Sequence, residues 1–203
     1  MIGTQAAHIF VVYDITVLKT DYDTIRDDWL TDTVIAFWQE YLEHQYVSQS
    51  PRSKVVLLRP AMAFMLMRSP SVEYLDGSLG SMVNVSHVFL PINNNTDVEE
   101  AEGGSHWSLL LVSLKDNVAF HYDSMFPTNE ENAKLATQKL KKYLRREDDI
   151  RFVDIEGAPQ QSNSSDCGVY VCLLMRHLLV QKLLARHLGE QVDMNVGVHC
   201  PSD

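Results

Sequence analysis

A polar loop passes into an apolar segment at Gln161-Ser162-Asn163-Ser164-Ser165-Asp166-Cys167-Gly168, which is followed by Val169-Tyr170-Val171-Cys172-Leu173-Leu174-Met175. This change predicts a buried helix that begins at or near Cys167. The first turn of a helix carries partial positive charge and unpaired N–H groups, which favour a thiolate over a thiol. Cys167 is therefore a candidate nucleophile, and the helix that follows it is a candidate core element.

Two upstream motifs supply the other groups that thiol chemistry needs. His106 follows Gly103-Gly104 at the start of a strand-like segment, and Asp123 ends the next such segment. Lys115-Asp116-Asn117 has the composition of a hairpin turn, so the two strands are predicted to pair and to bring His106 and Asp123 to the same edge of a sheet. With Cys167, they are candidates for the base and for the carboxylate that orients the base.

Gln161 lies in the loop just before the candidate nucleophile. Its side-chain amide and the backbone N–H of Cys167 could both donate hydrogen bonds to the oxyanion of a tetrahedral intermediate. The four residues together therefore predict a catalytic triad with an oxyanion hole.

Each of these residues also has a purely structural interpretation. Cys167 alone could be a small buried hydrophobe, which is how we assign Cys172, while Cys200 in the polar tail is predicted to be an exposed thiol. His106 could be a structural histidine at a strand end, and Asp123 could cap the turn that follows it. The context favours chemistry, because a cysteine selected for packing would be expected inside the apolar segment.

A metal site is an alternative interpretation of the same strand. His121 and Asp123 are predicted to share one strand face, and with a distal histidine they could form an iron site of two histidines and one carboxylate. The cysteines lack the spacing of zinc ligands. We expect neither a metal nor a cofactor.

Composition narrows the class of protein. The chain has 203 residues, 45% of them hydrophobic, and a formal net charge of -10. This charge argues against nucleic acid and favours a partner with a basic face. Three cysteines without a CxxC pair predict a reducing compartment and no disulfide framework. Residues 1–12 lack the basic start of a signal peptide, and we expect no membrane span.

Hydrophobic periodicity predicts a single domain that mixes helices and strands. Helices are predicted near residues 29–42, 61–67 and 129–146, and from Cys167 to about Leu188. Strands are predicted at 55–58, 83–91, 106–113, 118–122 and 150–155. The polar loop at 93–104 is long for a compact domain, which is typical of functional loops.

Three sequence blocks resemble one known family. They are Gly104-Ser105-His106-Trp107-Ser108-Leu109, His121-Tyr122-Asp123-Ser124, and Gln160 through Gly168. They resemble the Ulp/sentrin-specific cysteine proteases, which act on ubiquitin-like modifiers, and among these the deneddylase (sentrin-specific protease 8-like) branch. The resemblance implies an α+β fold of the papain-like, or adenain-like, type, in which helices flank a central mixed sheet.

Carried over by position, the resemblance assigns the catalytic roles. It implies His106 as the base, Asp123 as its orienting partner, Cys167 as the nucleophile and Gln161 as the oxyanion donor.

It also implies four residues that bind the modifier. Trp29 and Trp107 match the aromatic residues that roof a channel for the Gly-Gly tail, Asp32 matches an acidic residue that meets a basic residue of the modifier, and Asn93 matches a loop asparagine near the active site. In the entry motif Asp28-Trp29-Leu30-Thr31-Asp32, Thr31 replaces the more usual asparagine.

The resemblance leads to a functional expectation. We expect a cysteine isopeptidase and endopeptidase that cleaves after the C-terminal Gly-Gly of a ubiquitin-like modifier, most specifically in deneddylation of conjugates such as cullins and in precursor processing. A SUMO-specific protease and a non-catalytic binder of ubiquitin-like modifiers are the alternatives. The expected partners are the modifier and its protein conjugates, with no nucleic acid and no membrane. A monomer in the cytoplasm and nucleus is expected.

The expected domain organisation has three parts. Residues 1–12 are an N-terminal extension, 13–190 the Ulp-like protease domain and 191–203 a C-terminal tail. Family members usually continue into a further C-terminal helix. A chain that ends at Asp203 is therefore expected to keep its catalytic motifs and to be less stable if that helix packs on the domain.

Overall fold

The described part of the chain forms seven strands and five α-helices. The computed structural model describes residues 8–50, 54–100 and 103–185, together with Met194 and Val196. The strands are β1 (His8–Val12), β2 (Ile15–Leu18), β3 (Val55–Leu57), β4 (His87–Asn93), β5 (Trp107–Ser113), β6 (Val118–Tyr122) and β7 (Arg151–Asp154). The helices are α1 (Lys19–Asp27), α2 (Asp32–Leu42), α3 (Pro60–Arg68), α4 (Glu130–Tyr143) and α5 (Cys167–Arg176).

A five-stranded mixed sheet forms the centre. Its order is β3-β4-β5-β6-β7, with parallel pairing at both edges and antiparallel pairing between β4, β5 and β6. The strands β1 and β2 form a separate antiparallel hairpin. In the central β5–β6 pair Leu109 lies opposite Tyr122, so the first residues of β5 and the last residues of β6 lie side by side at the same end of these strands.

Helices cover both faces of this sheet. Alternate residues of β4 and β5 point to opposite faces and are buried on both, as expected for central strands. One core lies beneath α3 and α4 and includes Leu66, Leu90, Leu110, Ala119 and Leu140. The other lies beneath α2 and α5 and includes Ile35, Phe89, Leu111, Tyr122 and Met175. The predicted α+β architecture with a helix-flanked mixed sheet is confirmed.

Local signals explain where several helices begin. The Thr31 hydroxyl accepts a hydrogen bond from the backbone N–H of Val34, so α2 begins at Asp32 rather than at the predicted Trp29. Pro60 occupies the first turn of α3, where its missing N–H costs nothing. Helix α4 carries acidic residues in its first turn and basic residues in its last, which complements the helix dipole.

The N-terminal part of the chain is more regular than its sequence pattern indicates. Hairpin β1–β2 and helix α1 were not predicted, and β1 lies within the segment that was interpreted as an extension. The expected strand at 83–91 runs from His87 to Asn93 instead. The predictions for Cys200, for the C-terminal tail apart from Met194 and Val196, and for residues 186–188 lie outside the described residues.

Helix α5 continues as π-helical turns through His177–Leu184. Together they form an 18-residue segment, Cys167–Leu184, with mean hydropathy 1.4, which is long and apolar enough by length and composition to cross a membrane. This finding corrects the expectation that no segment reaches that length. The central helices of globular domains pass the same test, and α5 packs against β5 and α2 with a buried face that includes Val171, Leu174 and Met175. In this fold one face of the helix belongs to the core.

Candidate active site

The structure brings His106 and Asp123 into direct contact. His106 directly precedes β5 and Asp123 directly follows β6, and the antiparallel pairing places both at one sheet edge. The His106 Nε2 atom lies 2.6 Å from Asp123 Oδ1, and each residue is only 2% exposed. A buried hydrogen bond of this length fixes the orientation of the imidazole ring.

Backbone donors hold the Asp123 carboxylate in place. Its Oδ1 atom also accepts a hydrogen bond from the Met125 N–H at 2.9 Å, and Oδ2 accepts one from the Asn129 N–H at 3.0 Å, just before α4. Burial acts to raise the pKa of Asp123, but the bond to His106 and these two N–H groups outweigh it and lower the pKa. The carboxylate is therefore ionised and ready to stabilise a positive imidazolium.

The second nitrogen of His106 is available for chemistry. Nδ1 is buried and makes no conventional hydrogen bond with the described residues. Burial acts to lower the pKa of His106, but interactions with Asp123 and with the Cys167 side chain raise it to about 9. The ring is thus predominantly protonated at neutral pH and is electrostatically coupled to the thiol.

Close packing fixes the position of Cys167. This residue is the first of α5 and is 1% exposed. A Cβ atom on the neighbouring Gly168 would lie only 2.8 Å from Leu30 Cβ, so only glycine lets Leu30 approach the first turn of the helix. The Trp107 indole N–H donates to the Leu30 carbonyl at 3.1 Å, which ties the same segment to the sheet.

Consecutive asparagines shape the loop before His106. The Asn94 side-chain oxygen accepts hydrogen bonds from the N–H groups of Ser105 and His106, at 2.7 and 3.1 Å. Gly104 has a φ of +90°, and a Cβ atom there would lie 2.0 Å from Asn93 Oδ1. This position therefore requires glycine both for its backbone conformation and for space.

A cleft of about 400 Å³ opens beside His106 and Cys167. All four residues that were predicted to bind substrate line it: Trp29, Asp32, Asn93 and Trp107. Trp29 is 44% exposed, and its indole N–H donates to the Ser164 carbonyl at 2.7 Å, which links the cleft wall to the loop before Cys167. The cleft thus has two indole groups, three acidic residues (Asp28, Asp32 and Glu100) and the candidate nucleophile.

Gln161 is not among the residues that line this cleft. Its side-chain oxygen accepts a hydrogen bond from the Ser124 hydroxyl at 2.7 Å, and its NH₂ group donates to the Asn163 carbonyl at 2.7 Å. Its backbone N–H donates to the Ser124 carbonyl at 2.9 Å. The structure therefore links Gln161 to the residue that follows Asp123.

Comparison with protein families identifies the group to which this site belongs. Residues 28–188 match the model of the Ulp1 protease family, C-terminal catalytic domain. The chain belongs to the Ulp1 protease family. The family prediction made from the motifs is therefore confirmed.

Several curated relatives in this family are similar to the chain. It is 35% identical over 200 residues to NEDD8-specific protease 2 of Schizosaccharomyces pombe, which covers 96% of this chain and 47% of that protein. It is 37% identical over 150 residues to human sentrin-specific protease 8, covering 70% of this chain and 67% of that protein. The chain spans less than half the length of the S. pombe relative.

A solved Ulp1-family structure has the same fold. The C-terminal Ulp1 protease domain, determined in complex with Smt3, the yeast ortholog of SUMO, aligns with a TM-score of 0.68. The two chains share 22% identity over 90% of this chain and 80% of the other. This likeness confirms the papain-like architecture expected for an Ulp1-family protease.

The structure does not support an iron site at His121. Both of its ring nitrogens are occupied: Nδ1 lies 2.6 Å from Asp154 Oδ1, and Nε2 lies 2.9 Å from the Ser108 hydroxyl. Asp123 instead binds His106. Among the described residues, no group of three or more histidine, cysteine, aspartate or glutamate side chains is placed to hold a metal ion.

Sequence reasoning missed some residues that support this Ulp1-family site. Asn129 is fully buried, and its NH₂ group donates to the carbonyls of Ile92 and His106 at 3.0 and 3.2 Å. Helix α3 contributes Phe64 and Met65 to the cleft. The sequence signal is that α3 is apolar on all sides before Arg68, so a helix at the surface would have to present an apolar side chain such as Met65, which is 41% exposed.

Proposed function

We propose that the chain is a cysteine peptidase that cleaves after the C-terminal Gly-Gly of a ubiquitin-like modifier. One observation carries the proposal: His106, which is bonded to the buried Asp123, lines a single cleft together with Cys167, the first residue of a helix. Several similar proteins are named NEDD8-specific protease or sentrin-specific protease 8, which supports NEDD8 as the modifier. Removal of NEDD8 from protein conjugates and trimming of its precursor are the proposed reactions.

The proposed mechanism begins with an imidazolium–thiolate pair. The Cys167 sulfur attacks the carbonyl carbon of the terminal glycine, so a C–S bond forms and the carbonyl π electrons move to oxygen. The Gln161 NH₂ group and the Cys167 N–H donate to this oxyanion. The intermediate then collapses, the C–N bond breaks, and His106 gives its proton to the departing amine.

The second half of the reaction releases the modifier. His106 takes a proton from water, and the resulting hydroxide attacks the thioester carbon. The C–S bond breaks, the thiolate returns to its pair with the imidazolium, and the modifier leaves as a carboxylic acid that loses its proton to solvent. Asp123 keeps the ring oriented and stabilises its positive charge through both steps.

The cleft chemistry agrees with a glycine tail. The flat indole groups of Trp29 and Trp107 leave room for a chain without side chains, so the walls themselves would exclude bulkier residues. Asp28, Asp32 and Glu100 also line the cleft, and the whole chain has a net charge of -10. We propose that these carboxylates meet basic residues of the modifier and speed association.

The test uses modifiers that carry an electrophile in place of the terminal glycine carboxylate. Purified protein is incubated with NEDD8, SUMO and ubiquitin probes, and the adduct is mapped by peptide mass spectrometry. An adduct on Cys167 with the NEDD8 probe, and its loss in Cys167→Ala, is the expected result. Reaction with the SUMO probe alone would reassign the modifier, whereas folded protein that binds NEDD8 without any adduct would indicate a non-catalytic binder.

Cys172 provides an internal control in the same helix. Burial raises the pKa of the Cys172 thiol to about 12, so it stays protonated and unreactive at neutral pH. An adduct on Cys172 instead of Cys167 would contradict the assignment of the nucleophile. The monomeric state and the location in cytoplasm and nucleus stay predictions, which sedimentation of the pure protein and imaging of a tagged chain would test.

A further inference from the structure

We propose that Ser124 is a positioning residue that sets the orientation of the Gln161 amide for oxyanion stabilisation. The inference rests on the proposed function, because it concerns how the proposed oxyanion donor is held. Ser124 directly follows Asp123 and is 3% exposed. Ser124 is therefore next to the triad carboxylate in the sequence and contacts the oxyanion donor in space.

Ser124 and Gln161 form two hydrogen bonds in opposite directions. The Ser124 hydroxyl donates to Gln161 Oε1 at 2.7 Å, and the Gln161 backbone N–H donates to the Ser124 carbonyl at 2.9 Å. The first bond constrains the side chain and the second constrains the backbone. Such a pair fixes both the location and the rotation of the amide group.

The surrounding partners permit only one orientation of this amide. The Asn163 carbonyl can only accept a hydrogen bond, and Gln161 Nε2 lies 2.7 Å from it. If the amide were flipped, its oxygen would face another carbonyl oxygen, and the two would repel. The oxygen of Gln161 must therefore face Ser124, whose hydroxyl donates to it.

This orientation leaves one donor unused. The NH₂ group has two hydrogens, and among the residues that the structure describes only the Asn163 carbonyl accepts a hydrogen bond from it. The second N–H is free to donate to a developing oxyanion, as the proposed mechanism requires. Ser124 thus acts on the reaction through Gln161 and does not itself touch the substrate.

A neighbouring contact connects the same loop to Asp123, the residue that orients the base. The Gln160 NH₂ group donates to the Asp123 carbonyl at 2.8 Å, and the Tyr170 hydroxyl donates to the Gln160 carbonyl at 3.2 Å. Two consecutive residues at the end of β6 therefore hold two consecutive residues of the loop before Cys167. The orienting residue Asp123 and the oxyanion donor Gln161 therefore belong to one hydrogen-bonded network.

The test is a double-mutant cycle read with a fluorogenic substrate, NEDD8 carrying aminomethylcoumarin on its terminal glycine. Gln161→Ala is expected to lower kcat by about 100-fold. Ser124→Ala removes one neutral hydrogen bond from the amide and is expected to lower kcat by about five-fold, with KM unchanged. In the Gln161→Ala background, Ser124→Ala is expected to have no further effect.

Alkylation of Cys167 by iodoacetamide separates this role from a general structural one. Alkylation forms no oxyanion, so its rate in Ser124→Ala is expected to equal that of the unmodified protein. Ser162→Ala, at an exposed serine of the same loop, is the matched control and is expected to retain full kcat. Thermal unfolding of each variant confirms that the compared proteins are folded.

Each remaining outcome has a defined meaning. Full kcat in Ser124→Ala, an equal loss in the Gln161→Ala background, or slower alkylation would each overturn the positioning role. If Gln161→Ala itself retains full kcat, the proposed oxyanion role fails instead. If neither the protein without substitutions nor any variant turns over the substrate, the proposed function fails. Failure of the Ser124 proposal and failure of the proposed function are therefore distinguishable.

Discussion

The described residues include two histidine–carboxylate pairs whose imidazole rings are buried, and the N···O distance is the same in both. His106 Nε2 lies 2.6 Å from Asp123, and His121 Nδ1 lies 2.6 Å from Asp154. Their ionisation is opposite. Burial is the largest single influence on both rings and acts to lower their pKa, yet the pKa of His106 is raised to about 9 by its partners, whereas that of His121 stays lowered despite Asp154.

The difference comes from the surroundings of each pair. The Asp123 side chain is 1% exposed and is fixed by two backbone N–H groups, whereas that of Asp154 is 20% exposed. A carboxylate shielded from water attracts a positive ring more strongly. The second nitrogen of His121 meets the neutral Ser108 hydroxyl, while the other partner of His106 is a thiol that can become negative. One pair is suited to a charged ring and the other to a neutral one.

Removing each histidine should give the sharpest contrast. His106→Ala is expected to lower kcat/KM for the NEDD8 substrate by about 1,000-fold, because both the proton donor and the partner of the thiolate are lost. His121→Ala should retain near-normal turnover while folded. It is instead expected to lower the free energy of unfolding by about 1 to 3 kcal/mol, because Ser108 and Asp154 lose their partner.

Urea unfolding at pH 7 and initial rates on the same samples check both values. A turnover loss in His121→Ala as large as that in His106→Ala would show that the two pairs do not differ in function. A small loss in His106→Ala would remove the charged pair from the mechanism.

Neutralising each carboxylate is expected to give a smaller contrast of the same kind. Both oxygens of Asp123 accept hydrogen bonds from N–H groups, so the NH₂ group in Asp123→Asn would face one of these N–H donors. The substitution also removes the negative charge that holds a proton on His106. We expect kcat to fall by about 100-fold. The matched variant is Asp154→Asn, whose partly exposed amide can still accept from His121. It is expected to cost less than about 1 kcal/mol of stability and little turnover.

The active pair also shows what could be predicted from sequence. The polar-to-apolar change at Cys167 predicts the start of α5, and the hairpin turn at residues 115–117 predicts that β5 and β6 carry His106 and Asp123 to one edge. These are short-range signals, and the structure has both features. The fold class followed from the family resemblance, which the comparisons confirm.

The His121–Asp154 pair and the contacts of Asn129 could not be predicted from the sequence. Asp154 is 33 residues from His121, and Asn129 is 23 residues from His106, so neither contact leaves a local pattern. His121 was instead considered as an iron ligand, because a strand pattern shows which residues share a face but not which partners meet them. The Asn129 side chain makes no helix-cap bond, so a cap interpretation would also have missed its role.

Titration should separate the pairs by their pH dependence. The pKa of His106 in the folded protein lies above its ordinary value of 6.5, so protonation of this ring stabilises the fold. That stabilisation is complete below pH 6.5 and is lost as pH rises through about 9. The stability difference between the unmodified protein and Asp123→Asn should therefore shrink between pH 7 and pH 10.

The His121 pair is expected to behave differently. Its pKa lies below the ordinary value, so the neutral ring is the stable form and its contribution is present at neutral and high pH. The stability difference between the unmodified protein and Asp154→Asn should not fall between pH 7 and pH 10. Chemical unfolding at each pH measures both differences, and parallel curves for the two variants would contradict the assigned ionisation states.

A comparably small effect is expected at the Ser108 hydroxyl, which bonds to the second nitrogen of His121. Ser108 is 1% exposed and donates to His121 Nε2, so Ser108→Ala leaves a buried acceptor without its partner. We expect a loss of about 1 kcal/mol in the free energy of unfolding. Ser108 lies only two residues after His106, yet it bonds to His121 and not to His106, so turnover should be unchanged. Ser113→Ala, at the other end of β5, is the matched control for a lost buried hydroxyl. A fall in kcat in Ser108→Ala but not in Ser113→Ala would mean that the His121–Asp154 pair supports the His106–Asp123 pair, and that the two act as one network.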